Sequence, residues 1–497
     1  MSDLTKRSNT AVVDESAGVP VARRSWVRIA FVVLGVAVVF MTHFRPWEVA
    51  FLEEWPLAEL WSDRGGLAFA ANYFEWSLSR PLHLVPTAIG LALTGGAPFG
   101  IFLILGLVAV GQFLFVFWAL RPVAKSFWAT GAVALFIALH PLWSGGFLQR
   151  FLPAQTAGLA LIIGAGFVIR WLMRGQARWI IAAAVTVFLG LCVYPGAAAA
   201  APLMALVVAL AVRTTWRRRI IAVVVVTGAS VLMTVYSLVI ARLIIPGGAS
   251  YEAGNFVSGS IGGPSEFVTY VGSALLGRGL GILLGVFAVA VLGAVLALTS
   301  AIPHWAGWLM TGTAVVSPLC TIVFFGNVAW LQDVERIGYA TSLGLGVALL
   351  VWPLTSRGRR PRFEVVVASV LVVFALIGAV RGVQHWQPYI ALQHQLFDEL
   401  APAVHEASGD DFVVVVDHSG TFGAEYTLPQ GYISSASHLM NDDNTRVWLC
   451  SLEADPPLGG AGVCNPADTG VDMRLVNTFS VPNGEVDIFI SRPQTDG

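Results

Sequence analysis

Between Glu75 and Glu252 the chain holds no aspartate or glutamate, across a tract built mainly from Ala, Val, Leu, Ile, Phe and Gly. An ionised side chain costs about 2.5–3.5 kcal/mol at the centre of a membrane helix even on lenient insertion scales. A stretch purged of carboxylates is what such a solvent selects. Of the 497 residues, 56% are hydrophobic and only 12% charged, too few charges to cover a soluble protein of this length. Apolar runs near 20 residues recur and read as membrane-spanning helices. The expected fold class is an all-α polytopic membrane protein carrying a small α+β domain at its C-terminal end. No basic tract points to nucleic acid, so membrane lipids are the expected surroundings.

The charges order the chain. Residues 1–24 are polar, end in Arg23-Arg24 and are expected to be a disordered cytoplasmic N-terminus. The run 26–40 follows without a small-residue cleavage site and reads as an uncleaved anchor. Arg23, Arg24 and Arg28 place its start in the cytoplasm by the positive-inside rule. The acid-rich stretch FLEEWPLAELWSDRGGLAFAANYFEWSLSRPL then lies in a first outer loop, residues 44–80. Residues 81–93 are short, contain Pro86 and read as an interfacial or re-entrant helix. Spans follow at 99–120, 129–140, 157–172, 179–194, 197–212, 220–244, 281–299, 305–325, 339–354 and 365–380, about 11 in all by the ~20-residue criterion. Four of the inward spans land on arginines or lysine: Arg121 and Lys125, Arg170 to Arg178, Arg213 to Arg219, Arg357 to Arg362. The acids Glu53, Glu54, Asp63, Glu75, Glu252, Glu266, Asp333 and Glu335 all fall on the other side, and Glu364 alone sits at a cytoplasmic end. No acid lies mid-span, which argues against an ion-coupled transporter. The membrane domain is thus read as 25–383, in a multi-pass plasma-membrane protein.

Residues 384–497 read as an extracytoplasmic C-terminal domain. Residues 386–407 have helical periodicity, and DFVVVVDHSG, VWLC and EVDIFIS read as strands. Cys450 and Cys464 flank a Pro/Gly-rich loop there and pair as a disulfide in an oxidising compartment. Zinc is the alternative, with no second Cys or His pair at suitable spacing. Cys192 and Cys320 sit in apolar runs as small hydrophobes.

Four features in order resemble the GT-C superfamily of integral membrane glycosyltransferases, which use polyprenyl-phosphate sugars. The pattern is closest to the tetratricopeptide-containing transmembrane O-mannosyltransferases and related bacterial proteins. An acidic pair follows the first span, here Glu53-Glu54 before Trp55. The first outer loop ends in Arg80-Pro81-Leu82, before a surface helix and a Pro-Phe-Gly-Ile start to the next span. A His-Pro closes the third span, His140-Pro141, with Arg150 ten residues on. A late inward span opens ERIGYATSLG, giving Glu335, Arg336, Tyr339, Ser342 and Gly344. The set covers roughly residues 25–355. It departs from the family in having Glu for the usual Asp, a short first loop and no repeat domain.

The resemblance implies transfer of a sugar from a polyprenyl-phosphate donor to a glycan, lipid or protein acceptor of the cell envelope. Such transfer needs a carboxylate to take the acceptor proton, cations to hold the leaving phosphate and an apolar groove for the polyprenyl tail. Glu53 or Glu54 is the candidate catalytic base. The other orients the acceptor or anchors a divalent metal, Mg or Mn. Arg336 suits a lipid phosphate, and Arg80, His140, Arg150, Glu335 and Tyr339 complete the candidate substrate-binding set. The Gly/Ser-rich stretch 247–263 reads as a lid or as a slack connector. Plainer roles stand beside these. Glu53 and Glu54 also fit solvated acids, Arg336 a partner of Asp333 or Glu335, Arg80 a loop brace and His140 a helix cap. His385, His394 and His405 read as solvated, and Asp417-His418-Ser419-Gly420 as a β-turn or a sugar contact. Rival functions are a non-catalytic envelope assembly or glycan-binding protein, and a lipid-linked-sugar flippase or other transporter.

Overall fold

The computed structural model describes residues 21–48, 54–76, 78–240, 243, 264–277, 279–324, 334–423, 430–441, 445–453, 460–465, 467 and 471–492. Residues 1–20, Glu53, Glu252, Asp333 and the expected lid at 247–263 lie outside them. The fold is mostly helical, at 76%. In chain order the helices are α1 (Val21–His43), α2 (Glu54–Trp76), α3 (Val85–Leu93), α4 (Phe99–Leu120), α5 (Phe127–Leu139), α6 (Leu152–Arg174), α7 (Ala177–Val193), α8 (Ala200–Ala211) and α9 (Trp216–Val235). After them come α10 (Pro264–Gly277), α11 (Leu280–Leu298), α12 (His304–Val316), α13 (Val334–Thr355) and α14 (Pro361–Glu406).

Among the described residues, seven helices are long and apolar enough to cross a membrane: α1, α4, the segment containing α6, α9, α11, α13 and α14. The expected figure of about 11 is not reached on that criterion, and local chemistry gives the reason. His140, at φ 43°, ends α5 in the left-handed region after 13 residues. Pro195 interrupts the chain between α7 and α8. α12 tightens into a 3₁₀ helix at Ser317–Phe324, beside Pro318. The acid-rich stretch of the first outer loop also differs from expectation, because most of it is helical. α2 runs 23 residues and kinks at Gly65, whose φ of 74° favours glycine.

Burial orders the bundle. α13 has 94% of its apolar window buried, whereas α1 and α9 have 17% and 22%. α13 is therefore the axle and the other two lie at the rim. α6 begins with Pro153 in its first turn and stops at Gly175, φ 70°, the proline-in, glycine-out arrangement that backbone sterics favour. Beyond that stop the cationic end is well tied. The Arg170 guanidinium lies 3.8 Å over the Trp118 ring, and Arg218 Nη1 donates to the Leu172 carbonyl at 3.1 Å. At the opposite end the short helix α3 lies against α4 through two glycines. A Cβ added at Gly100 would stand 2.1 Å from the Gly90 carbonyl oxygen.

α14 runs unbroken for 46 residues, about 69 Å at 1.5 Å per residue. The boundary expected at 384 falls inside it. Its second half, with Leu396, Phe397, Leu400 and Val404, packs on the C-terminal sheet. That sheet comprises β1 (Phe412–Asp417), β2 (Arg446–Ser451), β3 (Asp472–Val481) and β4 (Gly484–Arg492), in the order β2-β1-β4-β3. β1 is parallel to β2 and antiparallel to β4. Helix α15 (Gln430–Asn441) covers it beside α2, and Cys450 and Cys464 are disulfide-bonded through the short α16 (Ala461–Cys464). Strand β3 went unread because it is an edge strand: its polar residues alternate irregularly and a bulge at Leu475/Asn477 breaks the register.

Gly100→Val should lower stability by about 1–3 kcal/mol, the usual cost of overpacking, seen as a fall in Tm in detergent. Gly312→Val, where no atom lies within 4 Å, should leave Tm nearly unchanged.

Candidate functional site

The segment Ser79 to His83 is pinned to two helix ends. Leu82 N–H donates to the Cys192 carbonyl at 3.1 Å, and Ser237 Oγ donates to the Ser79 carbonyl at 2.8 Å. His83 Nδ1 lies 2.9 Å from the Val193 carbonyl. A carbonyl only accepts, so Nδ1 carries the proton, and the Nε2 lone pair faces Arg80 Nη1 at 3.4 Å. Burial first, and the Arg80 charge next, hold His83 well below the usual imidazole range. The Val193 bond opposes them, and the charges of Arg150 and Arg336 add to the depression. The charges of three guanidiniums from distant parts of the chain thus act on one ring. Arg80 precedes α3, Arg150 sits in the 3₁₀ turn before α6, and Arg336 lies in the first turn of α13.

A carboxylate stands at the edge of this cluster. Glu54, at the start of α2, is 6% exposed. Its charge and that of Arg150 both act on the Tyr389 hydroxyl of α14, which accepts from Gln393 Nε2 at 2.9 Å. Trp55, fully buried, packs edge-on against Phe397 with ring centroids 5.6 Å apart. That contact fixes α2 on α14 and brings the Glu54 charge within electrostatic reach of Tyr389.

The chain between α5 and α6 is held by a polar network inside apolar surroundings. His140 Nε2 donates to Gln155 Oε1 at 2.6 Å and faces Gln112 Oε1 at 3.1 Å. Gln112 Nε2 donates to the Gln155 carbonyl at 2.7 Å, and Gln155 Nε2 to the Gly146 carbonyl at 2.9 Å. Glu335 accepts from Ser144 Oγ and from the Gly145 N–H. Trp386 Nε1 donates to the Ser144 carbonyl at 2.9 Å, and Arg45 Nη2 to the Phe147 carbonyl at 3.1 Å while pairing with Glu48.

Beside this loop a cavity of about 1000 Å³ opens between α11, α13 and α14. Leu142, Ile282, Leu284, Ala288, Phe374 and Ile377 line its apolar length; Glu335, Arg381 and His385 stand at its polar end. The first turn of α13 joins the two features, since Glu335 borders the cavity and the Arg336 charge falls on His83.

The structure therefore brings Glu54, Arg80, Arg150 and Arg336 into one neighbourhood. Glu53 lies outside the described residues, so the geometry of the pair as base or metal anchor is not described. His140, Glu335 and Tyr339, expected at substrate, have polar atoms committed to the protein itself. Tyr339 OH, fully buried, donates to the Ala154 carbonyl at 3.0 Å. Asp417, at the DHSG turn, is also consumed internally, accepting from Ser419 N, Phe422 N and Ser451 Oγ, each at 2.9 Å. His83, Tyr389 and Arg381 escaped the sequence reading. His83 directly follows Arg-Pro-Leu, and Arg381 is the first cation after the last apolar run, signals that the pattern does carry. No protein-family model, curated protein or solved structure matches the chain.

At pH 5.5 an ordinary imidazole of pKa about 6.5 is some nine-tenths protonated. His83 should remain neutral there, with the proton on Nδ1, as read from ¹⁵N imidazole shifts of histidine-labelled protein. Arg80→Gln should move its titration towards the ordinary value.

Proposed function

We propose that this chain is a GT-C-like membrane glycosyltransferase that moves one sugar from a polyprenyl-phosphate donor to a cell-envelope acceptor. The observation that carries the proposal is the convergence of Arg80, Arg150 and Arg336 around neutral His83, with Glu54 at the cluster's edge. Like charges gathered in a poorly solvated place repel. A phosphate offsets that repulsion, and the planar guanidinium fork matches its oxygens. The neutral histidine adds no further charge.

In this reading the apolar cavity takes part of the polyprenyl tail, and the first turn of α13 leads from cavity to cations. As the sugar–phosphate bond breaks, negative charge grows on the departing phosphate, where the arginines stabilise it more than in the ground state. Glu54 accepts the proton of the attacking hydroxyl. His140, Glu335 and Tyr339 act one step back, fixing the loop that carries Arg150 and the turn that carries Arg336. The 11-span topology belongs to the same reading, with the N-terminus cytoplasmic and the sheet outside the plasma membrane. Its support is that arginine-rich connections lie at the end of the bundle remote from the sheet.

The test uses full-length protein in lipid vesicles, a radiolabelled polyprenyl-phosphate sugar and envelope acceptor. Glu54→Gln should lower kcat/KM by at least about 100-fold with an unchanged Tm. Arg336→Gln should raise KM for the lipid donor more than tenfold, with partial recovery in Arg336→Lys. Full transfer by Glu54→Gln overturns the assignment of the base, and unchanged donor KM in Arg336→Gln overturns the phosphate clamp.

A further inference from the structure

Away from the arginine cluster, α2 and α15 share a second group of ionisable side chains. Glu59 and Asp63 lie one turn apart on α2, at i and i+4, and so share a face. His438 comes from the last turn of α15. One ligand atom from each of the three lies within 4.8 Å of the others. They meet where the C-terminal domain touches the acid-rich helix of the membrane domain, two parts of the chain nearly 400 residues apart.

We propose that Glu59, Asp63 and His438 bind a divalent transition-metal ion of the zinc class, which clips the C-terminal domain to α2. Spacing favours an ion over a direct pair. His438 Nε2 and Asp63 Oδ1 are 3.5 Å apart, longer than the 2.7–2.9 Å of a charge-assisted hydrogen bond. Ligand atoms around a tetrahedral ion with bonds of about 2.0–2.1 Å stand about 3.3 Å from one another. The His438–Asp63 pair already has about that separation, and the partly buried Glu59 carboxylate lies within 4.8 Å of both ligand atoms.

Charge favours it as well. Two carboxylates on adjacent turns of one helix repel, and a dication between them offsets that repulsion. The donor set chooses among dications. Magnesium and calcium prefer oxygen-only sites, whereas one imidazole with two carboxylates suits zinc or its neighbours. Three protein ligands leave a coordination position for water, and the partly exposed setting admits it. The ion serves position rather than sugar transfer. Gripping both elements at once, it adds a bond between α2 and α15 that the unfolded chain lacks.

The experiment takes full-length protein in detergent, strips it with chelator and titrates it with ZnCl₂ by calorimetry, metal content being read by mass spectrometry. The expected result is one zinc per chain with Kd below 10 μM and a rise in Tm. His438→Ala and Asp63→Asn should each weaken binding at least tenfold while leaving the metal-free Tm within 2 °C of the parent. A Co²⁺ titration of the unsubstituted protein gives a variant-free readout, a visible d–d band that saturates at one equivalent and is bleached by zinc. No zinc at micromolar concentration, or binding undiminished in both variants, overturns the proposal. Sugar transfer is not the readout, so the outcome is independent of the glycosyltransferase assignment.

Discussion

A polar loop that enters an apolar bundle must bring its own hydrogen-bond partners, and the chain from His140 to Gln155 depends on that requirement. Each unsatisfied buried amide or imidazole there would cost several kcal/mol. Gln112 and Gln155 bond each other, Gln155 reaches the Gly146 carbonyl, and His140 donates into the same pair. Three more elements seize the loop from outside: Arg45 after α1, Glu335 on α13 and Trp386 on α14. Five segments therefore meet on one turn of backbone. The positions of Arg150 and Arg336 follow from that meeting, because each side chain leaves an element that the network has fixed.

The second constraint is electrostatic. Acids are rare in the apolar helices, and Glu54 lies in the same neighbourhood as arginines that other segments supply. Arg80, Arg150 and Arg336 repel one another, and the fold sets a neutral His83 among them, its single proton committed to Val193. An arrangement of this kind stabilises the protein less than a hydrophobic one would. In the proposed function such a cluster serves to hold the phosphate of a lipid-linked donor. The long helix α14 then serves as a common spine. One half sits in the bundle and lines the lateral cavity, while the other packs under the sheet and carries Tyr389. The cluster and the C-terminal domain are tied to a single rigid element.

Much of the architecture was legible from residue order. The hydrophobic runs located the helices, the continuous apolar run in DFVVVVD and the pattern EVDIFIS located β1 and β4, and the two polar cysteines proposed their own pairing. Length was less legible, since His140, Pro195 and Pro318 shorten helices that hydropathy alone would carry further. Arg80, Arg150 and Arg336 stood out as cations beside apolar sequence. The roles of His140, Glu335 and Tyr339 did not, because a motif names a residue without saying which way it points. All three spend their polar atoms on neighbouring backbone or side chains, a choice set by packing.

By itself the sequence determined that apolar runs long enough to cross a membrane recur along the chain, that carboxylates are rare within them, and that a disulfide-bearing α+β unit follows. Those are one-dimensional facts, set by the transfer cost of each residue along the chain. Only the tertiary structure decided that the charges of three arginines act on His83, that Glu54 and Arg150 act together on Tyr389, and that Glu59 and Asp63 lie near His438. Such encounters join residues tens to hundreds of positions apart, and the free energy that selects them resides in the packing of α2, α13 and α14 against one another.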